Sequence, residues 1–191
     1  MKLKLIYRGC WKFVKNCRIH IWISGALFFL ALAVGLIYPV LFADVIEKLI
    51  GEIVKKTEGM NFFQLLLFIF KNNASTAFFV IVLGIFFGVI PLMLGVFNGY
   101  VLGFVMNKSA EIGGAGVLLR ILPHGIFELP ALILSLGLGL KIGWFMFEKG
   151  NKLKRISYNF KNSIKVFIFV IVPLLIVAAL IETGLIFLMG G

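Results

Sequence analysis

A strip of ionisable and helix-breaking residues, from Pro123 to Pro130, interrupts an otherwise apolar part of the sequence. It contains His124 and Glu128, and Arg120 lies just before it. An ionisable group at membrane depth is costly unless it faces a cavity or a partner. We expect a helix to begin at Pro123, where the missing N–H is no loss, so that His124 and Glu128 lie one turn apart. Such a pair offers an imidazole nitrogen and a carboxylate to a cation or to a proton.

The strip has both a structural and a functional interpretation. Glu128 can bond to an amide or to freed backbone groups, and it then only fixes the packing of a broken helix. Alternatively, it belongs to an ion, proton or metal site. Intramembrane metalloproteases carry two histidines and a glutamate on one helix, whereas the only other histidine, His20, starts a different apolar run. We therefore expect no enzymatic activity and no cofactor, unless His124 and Glu128 bind a metal ion.

Asparagines form a second group of polar residues in apolar surroundings. Asn72 and Asn73 interrupt one hydrophobic run, and Asn98 lies inside the next. Such amides often bond across to another helix, for about 0.6 to 2 kcal/mol each. The functional alternative is that they line a cavity together with His124 and Glu128.

The elements that position these groups follow from a very apolar composition. Of the 191 residues, 61% are hydrophobic and 14% are charged, and the mean hydropathy is +1.08. Soluble domains carry about 25% charged residues, and a soluble chain of this length needs a larger polar shell. Open sheets leave backbone groups unpaired in lipid, and the runs lack the alternation of barrel strands. The sequence therefore predicts an all-α bundle of transmembrane helices in the cell membrane.

We expect about five membrane segments, at least one of them broken or re-entrant. The first runs from Ile19 to Phe42 and the last from Val166 to Leu188, each long enough for about 30 Å of hydrocarbon. Glycines and Pro91 punctuate the interior runs. The predicted interior segments are a short stretch over 62–70 that ends at 71–73, a helix over 74–90, a break over 91–95, a helix to 106, and a further run over 117–143.

Two basic blocks carry 13 of the 19 Lys and Arg residues behind the net charge of +11. Residues 1–18 are predicted to form a basic amphipathic helix in the membrane interface, followed by one transmembrane domain over 19–191. Residues 141–165 carry seven basic side chains against Glu148 alone. Basic residues mark cytoplasmic loops, which anionic headgroups attract, so both blocks are expected to be cytoplasmic. The pattern does not favour nucleic acid as a partner.

Topology follows from this assignment. With both basic blocks inside, an even number of crossings separates them, so the first span requires an odd number within 62–140. Three short spans or one span with re-entrant segments satisfy this rule. The mildly acidic loop from Asp44 to Asn61 is then outside, as is the C-terminus, and Glu182 near the outer end is expected to be an exposed carboxylate.

Two stretches together resemble a known family. One is Lys71–Asn73 followed by the glycine-spaced run to Asn98 and Gly99, and the other is Pro-His-Gly-Ile-Phe-Glu-Leu-Pro-Ala at 123–131. They resemble the stage II sporulation protein M family of membrane proteins, over about residues 60–188. In spore-forming bacteria the resemblance implies a membrane scaffold for peptidoglycan-remodelling enzymes. This chain carries no hydrolase residues of its own.

Two functions from different classes are consistent with these features. The first is a non-enzymatic scaffold that contacts a protein partner or further copies of itself, with a polar cluster that is chiefly structural. The alternative is a small-solute or ion transporter or channel, in which Glu128, His124, Asn98 and Asn73 line the path. A transporter requires a cavity that reaches the cluster, whereas a scaffold requires a dry cluster with every polar atom paired.

Overall fold

The computed structural model describes the backbone of residues 2–114, 118–147 and 150–188, and the side chains of 3–114, 125–147 and 150–188. Within these ranges the chain is helical and contains no strand. Five segments are long and apolar enough to cross a membrane. The predicted all-α transmembrane fold and its five membrane segments are therefore confirmed.

Eight α-helices follow one another along the described chain. They are α1 (Lys2–Asn16), α2 (Arg18–Ile37), α3 (Ala43–Thr57), α4 (Phe62–Val82), α5 (Val89–Gly113), α6 (Leu118–Gly143), α7 (Lys152–Val166) and α8 (Val172–Leu188). Short 3₁₀ helices at Leu83–Ile85 and Trp144–Phe147 extend α4 and α6, and a π-helix at Phe167–Ile171 joins α7 to α8. The five candidate spans are Arg18–Ile37, Phe62–Ile85, Val89–Gly113, Gly125–Phe147 and Lys152–Leu188.

The prediction that the membrane segment over 62–70 ends at residues 71–73 is wrong, because these residues lie inside helix α4. The helix continues through them to Val82. Its start is fixed by a capping box, in which Asn61 and Gln64 exchange side chain–backbone bonds of 3.0 Å. Asn72 and Asn73 bond to each other, Nδ2 to Oδ1 at 3.3 Å. Because this bond leaves the helical backbone bonds intact, the asparagines do not end the helix.

The break between the second and third spans lies earlier than predicted. It falls at residues 83–88, where a 3₁₀ turn at Leu83–Ile85 is followed by a turn that ends at Gly88, and not at 91–95. Gly88 has a φ of +71°, a left-handed conformation that glycine adopts at little cost. Pro91 then lies in the first turn of α5, where a backbone N–H has no intrahelical partner in any case.

Helix α6 begins at Leu118, five residues before the predicted start at Pro123. A proline removes one backbone donor, but its fixed φ is compatible with a helix. The predicted external loop also contains a helix, α3, with Ile46 buried against α5 residues.

The last span is the C-terminal part of a longer helical segment. Residues Lys152–Leu188 are helical throughout, and 37 residues at 1.5 Å each measure about 55 Å, more than the roughly 30 Å of hydrocarbon. Helix α7 therefore extends beyond the hydrocarbon core. The predicted final span of 166–188 corresponds to the part after α7.

Helix α1 runs antiparallel beside α7. The rings of Phe13 and Tyr158 meet edge to face at 6.1 Å, and those of Tyr7 and Phe169 at 6.3 Å. Cys10 is free and buried; burial raises the pKa of its thiol, against the opposing charge of Lys165. The interfacial location of residues 1–18 stays a prediction.

Glycines bring α2 and α5 into backbone contact. A Cβ atom placed on Gly99 would overlap the carbonyl oxygen of Phe28, and one on Gly103 would overlap that of Leu32. A Cβ atom on Gly35 would overlap the Tyr100 carbonyl oxygen. Close approach at small residues is a principal way in which transmembrane helices associate. This contact forms a close-packed side of the bundle.

A candidate intramembrane polar site

A cavity of about 60 Å³ lies between α4, α5, α6 and α8. We call it the polar cavity. About 10–15 Å³ is enough for one water molecule, so it has room for a few waters or for a small cation. It is lined by Asn72, Asn73, Thr76, Ala77, Asn98, Glu128, Leu132 and Leu175. The structure thus brings four sequence-predicted residues, the three asparagines and Glu128, around one space.

Helix α4 contributes two amides and a hydroxyl to the polar cavity. Asn73 and Thr76 are half-buried, and Asn72 is exposed. The Thr76 hydroxyl donates to the Asn72 carbonyl at 3.0 Å, one turn back along its own helix. This is the usual way in which an apolar helix satisfies a threonine.

Helix α5 contributes Asn98, which is half-buried. Its Nδ2 donates to the Leu94 carbonyl of the same helix at 2.8 Å. The amides of Asn72 and Asn98 both donate within their own helices. The expectation that they bond across to another helix is therefore wrong. A local bond uses only part of an amide's capacity, so the remaining donors and acceptors can face the polar cavity.

Two carboxylates lie on helices that line the polar cavity. Glu128 on α6 lines it and is half-buried. Glu182 on α8 is also half-buried, and α8 packs against α6. The expectation of an exposed Glu182 is therefore wrong. Because Glu182 follows Leu175 by two turns on one helix face, it shares the face that lines the cavity.

A carboxylate in apolar surroundings is costly as a bare anion, and a bound proton or cation relieves that cost. Carboxylate and amide oxygens are ligands that suit hard cations. The arrangement can therefore hold a proton or a small cation at membrane depth, at the meeting point of four helices.

The sequence matches the family model described as stage II sporulation protein M over residues 24–185. The chain belongs to that family. The match confirms the resemblance and extends it to the first span. A similar protein is an uncharacterized protein of Methanocaldococcus jannaschii, 32% identical over 136 residues, which cover 69% of this chain and 60% of that relative. The chain thus spans less than two thirds of the relative's length. No solved structure matches the chain.

Two predicted residues of the family-like strip cannot be placed at the polar cavity. The side chains of Arg120 and His124 lie outside the described residues. Among the side chains that are described, no three histidine, cysteine, aspartate or glutamate residues gather as a metal site. Metal binding by His124 and Glu128 stays a prediction.

The bonds that cross between helices come from residues that the sequence reasoning did not select. The Tyr100 hydroxyl donates to the Tyr38 carbonyl at 2.9 Å and accepts from the Leu41 N–H at 2.9 Å. Asn107 Nδ2 donates to the Leu36 carbonyl at 2.9 Å. Tyr100 and Asn107 are seven residues apart on α5, on the face of the glycines. This spacing is the sequence signal that could have identified them as interhelical contacts.

A larger groove adjoins the polar cavity. Its volume is about 530 Å³, and it shares Asn72 and Thr76 with the polar cavity. Its remaining lining includes Lys71 and Ser75 beside Phe68, Phe79 and Leu94. The two spaces therefore lie side by side along the polar face of α4.

Proposed function

We propose that this multi-pass membrane protein is a non-enzymatic transporter or channel for protons or small cations, which act through the polar cavity. The observation that carries the proposal is the cavity itself: amide, hydroxyl and carboxylate groups from three helices surround a space inside the bundle. A dry scaffold has no use for such a space, and a transport path requires one.

The charge of the polar cavity favours cations over anions. Glu128 lines it, Glu182 lies on the neighbouring helix α8, and the other polar groups offer oxygen atoms. Intramembrane carboxylates in such surroundings commonly serve ion pathways and proton relays. Because Asn72 and Thr76 line both spaces, the larger groove is the route by which the ion reaches the polar cavity.

The test is a flux measurement on the purified chain in sealed vesicles. Gradients of H⁺, Na⁺, K⁺ and Mg²⁺ are imposed one at a time, and flux is compared with that of empty vesicles. Glu128→Gln should reduce the flux of the transported ion tenfold or more, because it removes the charge that stabilises the ion in the cavity. Glu182→Gln should reduce it in the same direction.

The matched control is Glu58→Gln, which makes the same chemical change at an exposed position after α3. It should leave flux unchanged. Wild-type flux at the level of empty vesicles for every ion would refute the transport proposal.

The second candidate function is the scaffold, favoured by one observation. Helix α7 extends beyond the hydrocarbon core and pairs with α1, which offers a surface to a protein partner or to a second copy of the chain. Leu153 on α7 is 78% exposed. A photo-crosslinker at this position should give one discrete adduct in native membranes, whereas one at the span residue Phe29 should give none. Absence of an adduct at Leu153 would contradict the scaffold.

We also propose that the α1 and α7 end is cytoplasmic. The excess of basic residues in both segments supports this orientation through the positive-inside rule. In intact cells, an impermeant thiol reagent should label Glu52→Cys and should label Lys152→Cys only after permeabilisation. Wild type is the control, since Cys10 and Cys17 are buried. Labelling of both positions from the same side would refute the orientation.

A further inference from the structure

A third cavity lies at the basic end of the bundle, where α1 ends, α6 ends and α7 begins. Its volume is about 200 Å³, and we call it the basic cavity. Its lining consists of Asn16, Lys141, Lys154, Arg155, Tyr158 and Asn159. Lys141 lies about 20 Å along α6 from Glu128, at 1.5 Å per residue. The basic cavity is therefore separate from the polar cavity.

The floor of the basic cavity is fixed by packing. Lys141 is only 9% exposed, and its carbonyl accepts a bond from Nδ2 of the buried Asn159 at 3.4 Å. This bond ties the end of α6 to α7. The start of α7 is fixed by Asn151, whose side chain accepts from the Lys154 N–H at 3.1 Å. The cationic side chains thus project from anchored backbone.

The region around the basic cavity carries a net positive charge wherever its single acidic side chain lies. Residues 141–165 carry seven basic side chains and one acidic side chain, Glu148. One carboxylate neutralises at most one cation, so the segment that lines the basic cavity keeps a large positive excess. Arg155 offers a planar fork that bonds two oxygens of one anion, and the lysines add point charges. Tyr158 and Asn16 add neutral donors.

The height of the basic cavity in the bundle identifies the source of the anion. Asn16 lies two residues before the span Arg18–Ile37, and Lys141 lies near the end of the span Gly125–Phe147. Both span ends lie at the boundary between hydrocarbon and headgroups, where the abundant anion is a lipid phosphate. We propose that the basic cavity binds the phosphate group of an anionic lipid headgroup.

Native mass spectrometry of the full chain in detergent tests this proposal, with phosphatidylglycerol as the probe. The variant Lys154→Gln/Arg155→Gln changes two exposed side chains of the cavity and leaves the buried Lys141 in place. It should weaken phosphatidylglycerol binding tenfold or more. Phosphatidylcholine, which has a phosphate but no net charge, should bind wild type and variant equally weakly.

The matched control is Lys12→Gln/Lys161→Gln, which removes the same charge from exposed positions of α1 and α7 outside the cavity. It should change phosphatidylglycerol binding less than twofold. Equal loss in the two variants would mean diffuse attraction and would overturn the proposal. So would binding of inorganic phosphate that depends on Lys154 and Arg155 while lipid binding does not.

Discussion

Helix α5 has two faces that meet opposite surroundings. On one face, Gly99 and Gly103 contact the backbone of α2 without room for a single Cβ atom. On another face, Asn98, the residue next to Gly99, lines a cavity with room for a few waters or an ion. One helix is therefore both a close-packed support and a wall of the site.

The contrast shows how this bundle combines a rigid frame with a polar space. Without a hydrophobic effect inside lipid, helices associate through close packing and interhelical hydrogen bonds. The α2–α5 contact uses both, with glycines at its centre and Tyr100 and Asn107 bonding across it. At the polar cavity, the amides of Asn72 and Asn98 instead donate within their own helices. Substitutions at the contact should therefore change stability, and substitutions at the cavity should change function.

The largest effect on stability is expected from Gly99→Ala/Gly103→Ala. Both new Cβ atoms would overlap carbonyl oxygens of α2, and overpacking of this kind costs about 1–3 kcal/mol per site. Better helix propensity returns about 1 kcal/mol per site. Because the overlapped atoms belong to the backbone and cannot rotate away, we expect the upper end of the overpacking cost. The net loss of about 4 kcal/mol over the two sites should lower the Tm in detergent by roughly 8–16 °C.

The control for this pair is Gly51→Ala/Gly184→Ala. Both glycines are helical, and a Cβ atom at either meets nothing within 4 Å. This variant should keep the wild-type Tm or exceed it. A comparable fall in the two double variants would refute the distinction between a close-packed face and an open one.

A smaller loss is expected from Tyr100→Phe. The change leaves the Tyr38 carbonyl and the Leu41 N–H without the hydroxyl that bonds both at 2.9 Å. Unsatisfied buried groups cost about 1–3 kcal/mol, and the partial exposure of this region places the loss at the lower end. The Tm should fall by roughly 2–6 °C. Tyr7→Phe is the control, because Tyr7 is 49% exposed; a similar fall there would argue against the role of the hydroxyl bonds.

The sequence predicts the fold class and the number of segments because both depend on composition and on the length of apolar runs. It places the asparagines and Glu128 in apolar surroundings, and it offers a shared cavity as one of two alternatives. These inferences need no knowledge of which helix faces which.

What the sequence misses depends on local geometry or on tertiary pairing. The break at Gly88 depends on a left-handed residue, and once α5 begins there, Pro91 falls in a first turn that tolerates it. The half-buried position of Glu182 depends on α8 packing against α6. No run of apolar residues contains that information.

The smallest effect on stability is expected from Asn98→Leu, which gives the sharpest contrast with α5's other face. The amide of Asn98 bonds only its own helix at Leu94, and that carbonyl keeps its helical partner, so the Tm should change by less than about 2 °C. Flux should nevertheless fall several-fold, because leucine fills the polar cavity and removes an oxygen ligand.

Asn107→Leu makes the same exchange on the α2 side, where the amide bonds across to Leu36. It should lower the Tm by roughly 2–6 °C, for a bond of about 0.6–1.7 kcal/mol, and leave flux per folded molecule intact. The reverse pattern would place the function on the glycine face.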